Sequence, residues 1–219
     1  MTEIVPAILT NDLSDFRKKY AELFALSNYF KTLHVDFADG VFVPSQTVMP
    51  KDLLFLKNSP LNLVAHFMTY HPQNYFRVAE AAGFGTALIH FEAFSDKKQL
   101  EETILFGQHL GLKIGLVINP ETRLHEAAKF LTKITFVQLM GIHPGAQDRK
   151  FMPETIEKVK ELRALSRNVI IAVDGGIKVG IAKQCVKAGA DVLVAGSAIL
   201  KAENEQEAIE ALKSDIETK

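Results

Sequence analysis

Three observations predict that this chain is an α/β protein, a single (β/α)8 TIM barrel spanning residues 1–219. Short β-branched runs alternate with longer amphipathic runs from one end to the other. Several of the short runs, such as NVIIAV at 168–173 and DVLVAG at 191–196, are almost continuously apolar, as strands buried on both faces of a parallel sheet are. The length, 219 residues with 47% hydrophobic, fills one core of this kind and is short for two domains.

The strand candidates are Ile4–Leu9, Phe30–Phe37, Leu61–Met68, Thr86–Glu92, Lys113–Asn119, Ile134–Ile142, Asn168–Asp174 and Asp191–Ser197. Between them, apolar residues at helical spacing predict helices over Asp12–Leu26, Pro72–Ala82, Lys97–Leu110, Thr122–Leu131, Pro153–Leu165, Ile181–Ala188 and Glu205–Ile216. A short helix over Lys51–Leu56 fills the gap after the second strand. Asn11, Asp96 and Asn204 suit N-caps, and Gly83, Gly111 and Gly189 stand where helices should stop. No linker or composition break interrupts the series. The competing architecture is a doubly wound open sheet, which more often stops at five or six strands. Its G-x-G-x-x-G turn after the first strand is absent.

Charge narrows the partners. A net charge of -1, from 25 basic and 26 acidic residues, gives no general attraction to nucleic acid or to an anionic membrane, though it leaves room for a local anion site. The opening MTEIVPAILTNDL lacks the basic region of a signal peptide, and no apolar run approaches the roughly 20 residues of a spanning helix. The expected location is the cytoplasm. Cys185 is the single cysteine, so an internal disulfide is excluded, and its helical setting suits a small buried hydrophobe.

In such a barrel the chemistry gathers where strands run out at their C-terminal ends. His34 and Asp36, two apart on one strand, point the same way, and that direction can be inward. His66 and Asp174 can point inward from two other strands. Two imidazoles and two carboxylates on one axis make a candidate site for one divalent ion, and mixed nitrogen and oxygen donors suit zinc, iron(II), manganese or cobalt. Any one of these residues alone reads more readily as structural; four at the same end of different strands point to function. Gly175-Gly176 and Gly196-Ser197 close the last two strands, where backbone N–H groups of this fold recurrently hold a phosphate. His90 can turn either way, and an inward turn brings it near the site. His71, His109 and His125 fall on helices or their starts and receive no role.

These residues carry a resemblance. PAIL at 6–9, LHVDFADGVFVP at 33–44, AHFM at 65–68, IHFEA at 89–93, NPET at 119–122, MGIHPG at 140–145, VDGGI at 173–177 and VAGSAI at 194–199 together resemble the ribulose-phosphate 3-epimerase family along nearly the whole chain. The resemblance implies an isomerase that inverts C3 of a ketopentose phosphate, D-ribulose 5-phosphate to D-xylulose 5-phosphate. It implies that His34, Asp36, His66 and Asp174 bind the metal, and that Asp36 and Asp174 are also the acid and base. Met68 and Met140 would line the cavity, and Gly175, Gly176, Gly196 and Ser197 would hold the phosphate. His66 and Gly145 border the same substrate site. A homo-oligomer, dimer or hexamer, is implied as well.

The chain departs from the family pattern at three places. Ala7 stands where the family usually has serine, removing a substrate hydrogen bond. Ala38 replaces a methionine and would open one cavity wall. The family's PGFGGQ loop reads Pro144-Gly145-Ala146-Gln147-Asp148-Arg149, where Asp148 would oppose a phosphate and Arg149 could bind one. These changes keep other readings open: an epimerase for another ketose or ketose phosphate such as allulose 6-phosphate, or a non-catalytic phosphosugar-binding barrel.

Overall fold

The computed structural model describes residues 2–145 and 149–217. Eight parallel strands follow one another around a closed ring: β1 Glu3–Ile8, β2 Thr32–Ala38, β3 Asn62–Met68, β4 Phe84–His90, β5 Lys113–Ile118, β6 Phe136–Met140, β7 Ile170–Asp174 and β8 Val192–Ala195. Pairing of β1 with β8, from Glu3 opposite Val192 to Pro6 opposite Ala195, closes it. The open-sheet alternative is therefore excluded. Each strand candidate falls on an observed strand, with ends moved by one or two residues.

The α-helices in chain order are α1 Leu13–Ala25, α2 Phe76–Ala81, α3 Lys97–His109, α4 Leu124–Ala127, α5 Glu154–Leu165, α6 Ile181–Ala188, α7 Ser197–Leu200 and α8 Glu205–Glu217. The expected helix over Pro72–Ala82 divides into a 3-10 turn, Pro72–Asn74, and α2; that over Thr122–Leu131 shrinks to α4 and a 3-10 turn, Ala128–Phe130. Pro50–Leu56 is 3-10, with a kink at Leu53 where the backbone leaves helical dihedrals. The cap of α1 is Asp12 and not Asn11: the Asp12 carboxylate accepts from the Asp15 N–H at 2.8 Å. Asp96 caps α3 in the same way, and Asn204 Oδ1 accepts from the Glu207 N–H at the start of α8. Ser197 is not the end of a strand. It opens α7, a short helix that periodicity over four residues could not reveal.

Two apolar layers hold the barrel. The outer one lies between sheet and helices, where Phe16 and Leu23 of α1, Leu100 and Ile104 of α3, Val159 and Leu162 of α5 and Ile209 and Leu212 of α8 are buried. Their three-, four- and seven-residue spacings put each pair on one helix face. The inner one is a plug of Val64, Leu88, Val117 and Met140, with Phe136 packed against it. Gly115 makes room for this plug, because a Cβ there would meet Leu88 Cδ2 at 2.6 Å. Since strand side chains alternate, the residues two positions beyond Val64 and Leu88 also face the axis, one layer higher. Those residues are His66 and His90. The plug thus supports the polar layer from below, beside a hollow at the lower end of the barrel that His34 and Val64 border.

Candidate functional site

The polar layer is built by register. Asp36 on β2 lies opposite His66 on β3, and Met140 on β6 opposite Asp174 on β7. His34, one inward position below Asp36, completes the group. One ligand atom from each of His34, Asp36, His66 and Asp174 lies within 4.8 Å of the others. His66 Nδ1 is 2.7 Å from Asp36 Oδ1 and 3.5 Å from Asp174 Oδ2. His34 Nε2 is 3.3 Å from Asp36 Oδ1 and 3.7 Å from Asp174 Oδ2. Both imidazoles are buried, while the carboxylates keep a narrow opening to the mouth of the barrel.

The two carboxyls are electrostatically unlike. Burial would raise Asp36, but hydrogen bonds from His34 and His66, with their charge, outweigh it and hold Asp36 well below the usual carboxylate range. Burial raises Asp174, and the neighbouring Asp36 charge adds to that. Burial also lowers His66, whereas His34 is held up despite burial by its hydrogen bond to Asp36 and the charges of both aspartates. Paired carboxyls driven apart in this way can hold opposite protonation states, as an acid–base pair requires.

The donor set fits a divalent cation. Two imidazole nitrogens and two carboxylate oxygens converge, the mixture that zinc, iron(II), manganese and cobalt accept. Among the described residues, no lysine or arginine lines this pocket, so the two carboxylates have no fixed side-chain cation other than the imidazoles. Buried carboxylates in that position are costly without a positive partner.

Comparison with known proteins agrees with the fold and gives the family. The profile of the Ribulose-phosphate 3 epimerase family matches residues 3–200. The chain belongs to that family. Curated ribulose-phosphate 3-epimerases are similar over almost their full length: that of Schizosaccharomyces pombe is 29% identical over 98% of this chain and 93% of its own. That of Escherichia coli K12 is 30% identical over 97% of this chain and 95% of its own. As a member of the ribulose-phosphate 3-epimerase family the protein is an enzyme of the isomerase class. Among solved structures, a 3-hexulose-6-phosphate synthase superposes with a TM-score of 0.74 at 17% identity, covering 98% of this chain and all of that one. A 3-keto-L-gulonate-6-phosphate decarboxylase from Vibrio cholerae superposes with a TM-score of 0.75 at 17% identity, covering 99% of this chain and 97% of that one. At such identity the likeness is one of fold.

The ribulose-phosphate 3-epimerase pattern can be followed around the pocket. Ala7, Met68, Met140 and Gly145 line it together with the aspartates. Gly175, Gly176, Gly196 and Ser197 form its wall at the ends of β7 and β8. Gly175 and Gly176 have φ of +97° and +71°, a region open to glycine, so this turn depends on the residue type. Ala38 does not line the pocket. It is packed with Val43 and Met68, so the expected opening of a cavity wall is absent there. Arg149 is exposed and also lies outside this pocket; its Nη1 donates to the His143 carbonyl at 3.4 Å, and it borders an adjoining hollow with Gly176 and Ser197. Residues 146–148, including Asp148, lie outside the described residues.

Three polar groups at the site were given no role in the sequence reading. Gln138 Nε2 donates to Asp174 Oδ2 at 2.8 Å. Its position two before Met140 on β6 was the available signal. His90 turns inward: its Nε2 lies 2.9 Å from His66 Nε2, and its Nδ1 faces Glu92. His71, His109 and His125 are exposed, on helices or beside them, and do not line this pocket.

Proposed function

We propose that the protein interconverts D-ribulose 5-phosphate and D-xylulose 5-phosphate, with Asp36 and Asp174 exchanging the C3 proton on opposite faces of a planar enediolate. One carboxylate removes the proton from C3; the other carboxyl returns one to the opposite face, inverting the centre. The observation that carries this reading is the pair of carboxyls, delivered by the non-adjacent strands β2 and β7 to one mouth and sharing two imidazoles. A two-base inversion needs such a pair, and a phosphosugar-binding protein does not.

His34, Asp36, His66 and Asp174 would hold the divalent ion, which when bound supplies electrophilic stabilisation of negative charge on the ketose oxygens. Met68 and Met140 give the sugar an apolar, water-poor wall. Gln138 holds the Asp174 carboxyl in orientation through the bond to Oδ2. The turn Gly175–Gly176 and the start of α7 at Gly196–Ser197 are the assigned phosphate corner, where backbone N–H groups do the binding.

Ala7 favours a second reading with the same chemistry on a different ketose, because this pocket-lining position has no hydroxyl to offer the sugar. A panel of ketose phosphates and free ketoses, assayed for product and for solvent deuterium entering at C3, separates the readings. Exchange at C3 with pentulose phosphates as the best substrates supports the first. Preference for allulose 6-phosphate supports the second, and no exchange with any ketose would overturn both.

A further inference from the structure

Behind the site a second polar chain runs from His66 to a carboxylate that the proposed mechanism does not use. His66 presents Nδ1 to the aspartates and Nε2 to His90 Nε2, at 2.9 Å. The His90 ring is buried and held on two sides, by the stacked His66 ring at 5.0 Å and by Phe42 at 4.7 Å between centroids. Its Nδ1 and Glu92 Oε2 face each other at 3.4 Å, with the Thr122 hydroxyl also beside the Glu92 carboxylate. The other oxygen, Glu92 Oε1, accepts the Asn119 backbone N–H at 2.9 Å, which fixes the carboxylate at the end of β5.

With both rings neutral, two proton arrangements satisfy the short contact between the imidazoles. In one, His90 Nε2 carries the proton, and its bare Nδ1 then faces a bare carboxylate oxygen inside the protein. In the other, His90 carries its proton on Nδ1 and gives it to Glu92. Its Nε2 then accepts from His66 Nε2–H. The carboxylate decides between them, because facing acceptors in a dry site are repelled and unsatisfied. The second arrangement, with His66 neutral, takes the Nδ1 proton out of the hydrogen bond to Asp36 Oδ1 and leaves a lone pair 2.7 Å from that oxygen, a placement that an ion in place of the proton would satisfy.

We infer that Glu92 and His90 are positioning residues that set the tautomer of His66, turning its Nδ1 lone pair toward the ion-binding cluster. This rests on the metal reading above. The ring nitrogen away from a metal commonly donates to such a partner, and loss of the partner typically weakens metal binding ten- to hundredfold.

Glu92→Gln is the informative substitution. Its carbonyl can keep the Asn119 N–H, which directs the amide NH2 at His90 Nδ1. His90 must then accept at Nδ1 and carry its proton on Nε2, head-on against His66 Nε2–H. The test measures zinc affinity by chelator competition for wild type, Glu92→Gln, His90→Phe and His90→Gln, with nitrogen NMR of histidine-labelled, zinc-loaded wild type to locate the ring protons. The expected result is a ten- to hundredfold loss of affinity in Glu92→Gln and His90→Phe. His90→Gln should recover part of it, since its carbonyl can accept from His66. Wild type should show protons on His66 Nε2 and His90 Nδ1. Tight zinc binding by wild type with equal affinity in Glu92→Gln, or a proton on His90 Nε2 in the loaded protein, overturns this inference alone. Failure of wild type to bind zinc, cobalt, manganese or iron(II) overturns the metal reading and this inference with it. Should Glu92→Gln fail to fold, the His90 pair and the wild-type spectrum still decide.

Discussion

Asp36 and Asp174 stand on strands that are not neighbours, yet each lies within 3.7 Å of the same two imidazoles. Their surroundings drive them in opposite directions, Asp36 toward the charged form and Asp174 toward the neutral one. Replacing either with asparagine keeps the shape and removes the proton carrier. Asp36→Asn and Asp174→Asn should each lower turnover by at least ~10², the scale of losing a general acid or base. Metal content measured in the same samples separates lost proton transfer from lost ion. Near-normal turnover in either loaded variant would refute the pair.

Removal of the ion gives an independent check. Prolonged chelation should abolish epimerisation, and adding zinc, iron(II), manganese or cobalt one at a time should restore it to different degrees. Full activity in protein shown by elemental analysis to be metal-free would exclude the assignment of His34, Asp36, His66 and Asp174 as ligands.

Gln138 donates to Asp174 and is buried on the inner face of β6. Gln138→Leu keeps the volume and deletes the donor. A hydrogen bond to a neutral carboxyl contributes about 0.5–1.5 kcal/mol, so kcat should fall roughly two- to tenfold. KM should change little, because the residue orients a carboxyl and leaves the sugar alone. A rise in KM with kcat intact would assign Gln138 to substrate binding.

Arg149 tests the altered loop. It is exposed beside the hollow that also touches Gly176 and Ser197. Arg149→Ala should raise KM for a ketose phosphate several-fold and leave kcat near normal. The same KM in the variant would make Arg149 a solvated side chain. Equal turnover of the free ketose and its phosphate ester would remove the phosphate corner itself.

Cys185 is fully buried in α6, and burial pushes its thiol up to about 12. The thiolate is the reactive form, so at pH 8 a thiol reagent should label the folded protein only as fast as it opens. Rapid labelling under native conditions would contradict the packing of α6.

Most of the fold could be read from the chain because a buried parallel strand has an unambiguous pattern. NVIIAV and DVLVAG admit few other fates, and the eightfold alternation excludes most topologies. The four-residue polar cluster was legible for a related reason: a two-residue spacing on a strand fixes the face, as in His34 and Asp36. What escaped depended on rotation or on brevity. His90 had either an inward or an outward option, and only the plug beneath it and Phe42 beside it settle the ring. The four residues of α7 are too few to show a period, so Ser197 read as a strand end. Ala38 read as an opened cavity wall because it replaces the family's methionine, though the tertiary packing turns it into Val43 and Met68.

Gly141, just past β6, has no side chain and takes no part in any chemistry above. Its N–H donates to the Asp174 carbonyl at 2.6 Å, and a Cβ on it would meet the Gly175 carbonyl oxygen at 2.4 Å. A single methyl group there pushes on the Gly175–Gly176 peptide inside the proposed phosphate turn, while the Gly141 N–H holds the carbonyl of the proposed acid–base residue. The two halves of the pocket therefore share one mechanical hinge point. Gly141→Ala should disturb both together, so a lineage that changes its sugar must do so through the surrounding walls, at positions such as Ala7, while this contact stays bare.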